Sequence, residues 1–329
     1  MSDLLQRIGR MHIADIVILG GTGFLGRSLV AQLVNRSGGA GGRLLVPTRR
    51  LQRGRAILSL PTVEMREADV LDEAQLAACL RGCDAVVNLV AVLHGNAADF
   101  ERAHVELPRR LARACAAAGV RRVLHVSALG VAPDAPSMYL RSKARGEAVL
   151  READLDLTLF RPSVMFGAED RLLNVFAALQ GFLPVLPLAS PNARFQPVWV
   201  EDVARAIAQC IDRPETIGQT FECVGPQVCT LRELVQSAGR WAGRARPVLP
   251  LPAPLGRAQA ALMELAPGTP MLSRDNLDSM RVPSVASGTL PGLAALGITP
   301  TALDAVAPLY LAGASMGRGR LNAWRARRS

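Results

Sequence analysis

The sequence predicts an α/β fold, a doubly wound parallel sheet with a smaller C-terminal lobe, on three observations. Short β-branched and aliphatic runs alternate with helical stretches through the first half of the chain, the pattern of a parallel sheet covered on both faces. A glycine-rich turn, GGTGFLG, lies between the first apolar run and the first helical one. Half of the 329 residues are hydrophobic, enough for a sizeable core.

Each element follows from local pattern. Residues 16–19 form a short buried strand. The glycine turn and a helical stretch follow, and SGGAGG at 37–42 is a flexible turn. Residues 44–46 are a second strand ending at PTRR, and residues 62–67 a third ending at ADV. Asp72 caps a helix through Leu80. Residues 85–92 read as an apolar fourth strand, and residues 99–118 as one long amphipathic helix that takes in Pro108. Residues 123–126 are a fifth strand ending at SALG, 137–153 a helix, and 155–160 a sixth strand. Beyond about Gly167 the pattern loosens and proline becomes frequent.

Gly20, Gly23 and Gly26 give GxxGxxG between a strand and a helix. The first glycine permits a tight turn, the second lets backbone approach a pyrophosphate, and the third lets the helix pack closely. The free N–H groups of the helix start suit phosphate. This is the Rossmann-type context for a dinucleotide. At the end of the second strand an NAD site usually offers a carboxylate to the ribose. Here Thr48, Arg49 and Arg50 stand instead. Two guanidiniums suit a 2′-phosphate, favouring NADP(H) over NAD(H), unless they are solvated surface. Asp69 and Val70, at the end of the third strand, either flank the adenine or, for Asp69, cap a helix.

SMYLRSKARGE, residues 137–147, contains the only lysine of the chain and one of its two tyrosines. Tyr139 and Lys143 are four apart, so a helix puts them on one face. Ser127 follows the fifth strand, at the carboxyl edge where such sheets bind ligands. A phenol titrates near ~10 and is a poor base at neutral pH. A neighbouring ammonium is expected to lower that value and let Tyr139 exchange a proton with a carbonyl or alcohol oxygen. Ser127 can hold the same oxygen, and a compact lysine head can also grip ribose hydroxyls.

Net charge is +10, with arginines scattered except in the tail GRGRLNAWRARRS. Charge without a recognition motif does not support nucleic-acid binding, and the tail could meet acidic headgroups or a partner. No apolar run is long enough to span a membrane, and no export signal is evident, so a cytoplasmic place is expected, either free or at the inner face of the membrane. The six cysteines show no paired CxxC, as expected of buried thiols in a reducing compartment. His94, His104 and His125 are expected to be structural or to support residues that touch a ligand, and isolated histidines without spaced partners make no metal site. The uncharged stretches 182–191 and 248–255 either line the core of the second lobe or present an apolar docking or substrate surface.

GGTGFLG, VSALG and YLRSK together resemble the short-chain dehydrogenase/reductase superfamily, in its extended or atypical branch. FRPSVMFG and PVWVEDVARAI extend the resemblance. VPTRR, HVSALG, YLRSKARGE, RPSVMFGAEDRLLN and PGTPMLSRDNLDSM are similar to the nucleotide-binding accessory subunits of respiratory complex I, of the alpha-subcomplex subunit nine type, and their bacterial relatives. The resemblance implies a tightly held NADPH, with Gly20, Gly23 and Gly26 at the phosphates, Arg49 and Arg50 at the 2′-phosphate, and Ser127, Tyr139 and Lys143 in the active-site positions. It also directs Thr22, Phe24, Leu25, Leu89, Val90, Arg161, Pro162 and Ser163 to the cofactor. It implies 1–14 as an N-terminal extension, 15–165 as the NAD(P)-binding domain, 166–317 as a smaller substrate or partner lobe with late elements returning to the sheet, and 318–329 as a basic tail. NLVAVLHGN departs from the NNAG of short members, which leaves Asn88 without an assigned role. Two functions follow: an NADPH-dependent oxidoreductase or epimerase-like enzyme on a small, apolar, carbonyl or quinone-related substrate, or a non-catalytic NADPH holder docked to complex I or a quinone-pathway assembly.

Overall fold

The computed structural model describes residues 15–265, 268 and 270–314. The expected N-terminal extension and basic tail lie outside the described residues. In the first half, strand β1 (Ile16–Leu19) leads through the glycine turn to helix α1 (Phe24–Arg36), then β2 (Leu44–Thr48), β3 (Val63–Glu67), α2 (Glu73–Leu80) and β4 (Ala85–Asn88). Helix α3 (Ala97–Glu101), a π-helical turn (Arg102–Glu106) and α4 (Leu107–Ala118) form one bent rod. Strand β5 (Arg122–Val126), α5 (Met138–Glu152) and β6 (Asp156–Pro162) complete that half. Helices α6 (Leu172–Phe182) and α7 (Val200–Cys210), strand β7 (Thr220–Cys223), and α8 (Leu231–Trp241), α9 (Ala253–Glu264), α10 (Arg274–Ser279) and α11 (Leu303–Ala314) follow.

The seven β strands form one sheet in the order β7-β6-β5-β4-β1-β2-β3. Every pairing is parallel, with Ile16 opposite Leu44 on one side and Ala85 on the other. The chain order reverses between β1 and β4, so their carboxyl ends open the crevice where such sheets take ligands. One face is covered by α1 and α7, with Leu29, Val30, Val203 and Ile207 buried against Ile18, Val87 and Leu124. The other is covered by α2, α4 and α5, through Leu76, Leu111, Cys115 and Leu150. The inner strands β1 and β4 and the start of β2 are buried on both faces, which is why they read as unbroken apolar runs, whereas the edge strand β3, VEMRE, is only partly buried.

Arg122, at the start of β5, ties these layers together. Its guanidinium donates to the carbonyls of Cys210, Ile211 and Asp156 and to the hydroxyls of Thr158 and Thr216. It thereby serves the carbonyls at the end of α7, where a cation also suits the helix dipole.

Several boundaries differ from the sequence expectation, each for a local reason. The fourth strand stops at Asn88 rather than at residue 92, because Asn88 Oδ1 accepts from the Val90 N–H and turns the chain. The long helix is interrupted by the π turn. Pro108 then follows the π turn directly, as the second residue of α4. The 137–153 helix runs from Met138 to Glu152, with Ser137 as its N-cap. Strand β6 is shifted to Asp156–Pro162, and β2 continues to Thr48.

The proline-rich half also returns α7, β7 and the turn Leu293–Leu296 to the sheet's layers. A separate core of Leu173, Ala177, Leu234, Ala238 and Leu311 joins α6, α8 and α11. Short strand pairs connect Met165–Phe166 to Val198–Trp199 and Leu186–Leu188 to Val248–Pro250 in parallel, and Arg194–Phe195 to Cys229–Thr230 antiparallel. The two uncharged stretches divide between core and surface. Leu186, Leu188 and Ala189 are buried, while Phe182, Val185, Leu249 and Leu255 are exposed. Among the described residues, no helix is long and apolar enough to cross a membrane.

Candidate nucleotide and active site

The glycine turn is built by close approach. Gly20 adopts φ +81°, and a Cβ there would stand 3.1 Å from the Leu89 carbonyl carbon and 3.2 Å from Val90 N. Leu89 and Val90 thus back the turn with their main chain. A Cβ on Gly26 would stand 2.5 Å from both Gly20 O and Gly21 Cα, so only glycine lets α1 rest on the loop. Gly23 is the N-cap of α1, and no side chain caps that helix start. Its first-turn N–H groups and dipole face the crevice, the arrangement that receives a pyrophosphate. Arg27 Nη1 donates to Thr22 O at 2.8 Å and holds the loop from behind. Leu25 is buried beneath it. Phe24 abuts Gly167, where a Cβ would meet its ring at 3.1 Å. Arg27 also pairs with Glu169, so the turn after β6 lies beside the glycine loop.

Arg49 and Arg50 directly follow β2, both exposed, and neither enters an ion pair within the described residues. Thr48 Oγ1 accepts from Arg50 N at 3.3 Å and fixes that corner. Asp69 accepts from Leu71 N and its own N–H donates to Gln75. The helix cap is Asp72, which accepts from Gln75 N, so Asp69 is a turn residue rather than the cap. Val70 packs partly on the core beside it.

Lys143 lies wholly inside α5, and its Nζ donates to the Val126 carbonyl at 2.8 Å. Burial lowers its ammonium to about 8, opposed by Glu147 one turn on. Glu147 is in turn held by both arms of Arg161, at 2.9 and 2.6 Å, so that guanidinium fork faces the carboxylate. Ser127 follows Val126. Its N–H donates to Phe160 O, and its buried Oγ has no hydrogen-bond partner. Tyr139 meets both Phe100 and His104 edge-on, and those two rings stack on each other. Burial pushes its phenol up to about 12. Lys143 does not lower it, contrary to the sequence expectation, because that ammonium is directed to Val126 and is itself disfavoured by burial. Pro162 O accepts from Leu129 N, and Ser163 Oγ donates to Ser284 O at 2.8 Å, linking β6 to the lobe.

Two residues with no assigned role in the sequence matter here. His104, on the π turn, lies under Tyr139 with its Nε2 accepting from Val92 N at 3.1 Å and Nδ1 2.8 Å from Ser142 Oγ. Burial, then Lys143, lowers its value to about 3, so the ring is neutral. In the sequence it is an isolated histidine, and nothing local distinguishes it from His94 and His125. Asp275, on α10, accepts from the Met138 and Tyr139 N–H groups at 2.6 and 3.1 Å. SRDN at 273–276 is a readable capping pattern, but nothing local joins it to a helix more than a hundred residues away. His125 is fully buried beside Asn88, its register partner, and both of its ring nitrogens and Asn88 Nδ2 are unpartnered. His94 is half-buried, lowered by burial and by Arg171. Among the described residues, no cluster of His, Cys, Asp or Glu could hold a metal.

The glycine cradle and the uncapped helix start fit a dinucleotide, and the unpartnered Ser127 hydroxyl fits an oxygen of a ligand beside it. Comparison with known proteins agrees. A family described as NAD(P)H-binding matches residues 20–214. Subunit 9 of the mitochondrial NADH dehydrogenase (ubiquinone) 1 alpha subcomplex from Rattus norvegicus is 34% identical over 305 residues, covering 90% of this chain and 80% of that protein. A ceramide reductase from Caulobacter vibrioides is 31% identical over 59% of this chain and 60% of its own length. The fold is shared with the NADPH-dependent quinone oxidoreductase QOR2 of Escherichia coli in complex with NADPH, at a TM-score of 0.70 and 22% identity over 91% of this chain and 98% of that one.

Proposed function

This chain belongs to the NAD(P)H-binding family, as a relative of the complex I subunit nine proteins, and on that premise we propose that it is an NADPH-dependent oxidoreductase acting on a small carbonyl or quinone-related compound. One observation carries the reading. Ser127 Oγ, one residue beyond the carbonyl that holds the buried Lys143, is itself buried and has no hydrogen-bond partner among the described residues. Unpaired buried hydroxyls are costly in a purely structural role.

Bound NADPH supplies the hydride. Ser127 Oγ then orients the substrate oxygen, and Tyr139 delivers its phenolic proton as negative charge develops there. A phenol raised to about 12 is fully protonated at neutral pH, which suits an acid in the reducing direction. Lys143, whose ammonium has donors beyond the one given to Val126 O, would hold the ribose hydroxyls. Arg49 and Arg50 take the 2′-phosphate, and the glycine turn takes the pyrophosphate. The ubiquinone in the name of the rat relative and the reductase activity in that of the Caulobacter one support the substrate class.

A second reading is favoured by the similarity to the rat complex I subunit over 90% of the chain. The protein then holds NADPH structurally, docked to a respiratory-complex or quinone-pathway protein. One experiment separates the two. The purified protein is assayed for bound nucleotide and for NADPH oxidation with a panel of carbonyls and quinones. The oxidoreductase reading expects turnover that falls at least ~100-fold in Tyr139→Phe, the scale of a lost general acid, with NADPH affinity retained. Nucleotide binding without turnover sinks that reading and leaves the accessory one.

A further inference from the structure

We infer that Asp275 is a positioning residue for Tyr139, a carboxylate from the C-terminal lobe that fixes the first turn of the reacting helix. The inference deepens the oxidoreductase reading and rests on it for its catalytic consequence. Tyr139 is the second residue of α5, in the turn where a helix has unpaired N–H groups and frays most easily. Ser137 Oγ accepts only from Leu140 N, at 3.2 Å. The two preceding donors, Met138 N and Tyr139 N, go to Asp275 Oδ1 and Oδ2 at 2.6 and 3.1 Å. The carboxylate also opposes the positive end of the helix dipole. It is 8% exposed, so both bonds are shielded from water.

The clamp belongs to the lobe. A reciprocal cap between Ser273 and Asn276 closes the start of α10. Asn276 Nδ2 donates to Leu93 O at 3.3 Å, reaching the loop after β4. Arg274 pairs with Glu264 and Arg257 with Asp278, at 2.8 and 2.7 Å, joining α10 to α9. Val282, just beyond, packs against Gly130, where a Cβ would stand 3.0 Å from its Cγ1. A segment stitched to the lobe at both ends therefore sets where the Tyr139 main chain sits. Whatever moves α10 moves the phenol relative to Ser127.

Asp275→Ala and Asp275→Asn are compared with Ser137→Ala in the full chain. Amide hydrogen exchange is read residue by residue, with NADPH affinity and steady-state rates alongside. In Asp275→Ala the Met138 and Tyr139 amides exchange at least ~10-fold faster, as for a freed helix turn, while residues 143–150 keep their protection. NADPH affinity stays within about twofold, because the glycine turn is untouched, and kcat falls at least ~10-fold with KM for NADPH unchanged, the mark of a transition-state effect. Asp275→Asn, which keeps one acceptor, recovers part of both losses. Unchanged exchange at Met138 and Tyr139 overturns the inference, as does equal loss of NADPH affinity and kcat. Wild-type protein without turnover sinks the oxidoreductase reading, and the exchange result then decides the clamp alone.

Discussion

His104 shows how one side chain can set a site without touching a ligand. Ser142 Oγ donates to the Tyr139 carbonyl, so it accepts from His104 Nδ1–H. That assignment leaves Nε2 bare to accept from Val92 N. Protonation would break the Val92 bond and place a second cation near Lys143. The folded-state value is lowered from 6.5 to about 3, so the unfolded chain takes up this proton first as pH falls. The contribution is complete above the unfolded value and is lost progressively between pH ~6.5 and ~3. The loss amounts to on the order of 5 kcal/mol at the acid end. Urea unfolding of His104→Gln should show a shallower loss of stability across that window than wild type. An equally steep loss would show that the ring is not held neutral. Lys143 could be read from sequence because it is the only lysine. His104 could not, since its meaning depends on Val92 and Ser142, which only folding brings to it.

At the level of elements, the bend between α3 and α4 is the least foreseeable part of the first half. The apolar spacing of residues 99–118 is that of a single helix. The π turn adds one residue to one turn, too little to disturb periodicity over so short a window. Its partner was marked by Gly146. A Cβ there would strike the His104 carbonyl oxygen, on the π turn itself. α5 can lie against the bend only because position 146 has no side chain. Gly146→Ala should therefore destabilise the fold by ~1–3 kcal/mol by overpacking, although alanine is the better helix former by ~1 kcal/mol. Denaturant titration would register this as a lower midpoint at unchanged slope. A midpoint that rose would mean α5 can slide to accommodate the methyl. Strands β1, β2 and β4, by contrast, are readable because burial on both faces of the sheet writes itself as continuous aliphatic sequence.

For the molecule as a whole, the second half resisted reading because its parts make sense only together. α7 and β7 complete the sheet's layers, yet they are separated from β1 by the lobe's two- and three-residue strands. Such pairs carry no periodicity, and prolines surround them. The dinucleotide crevice spans elements from both halves, from Gly20 to Gly167, so occupancy should stabilise the entire fold. NADPH at about 100 times its Kd adds ~2.7 kcal/mol, a rise of a few degrees in Tm for a chain of this size. NADP(H) should raise Tm more than NAD(H) at equal concentration. The double variant Arg49→Ala, Arg50→Ala should erase that difference and leave the NAD(H) response. Equal responses in wild type would remove the case for 2′-phosphate recognition by these arginines.

The burial of Lys143 has one more consequence. A lysine-specific protease has a single cleavage site in this chain, and that site lies inside a helix with its side chain 2% exposed. Cutting therefore requires α5 to open. The appearance of two fragments is a direct count of the molecules in which α5 has come undone.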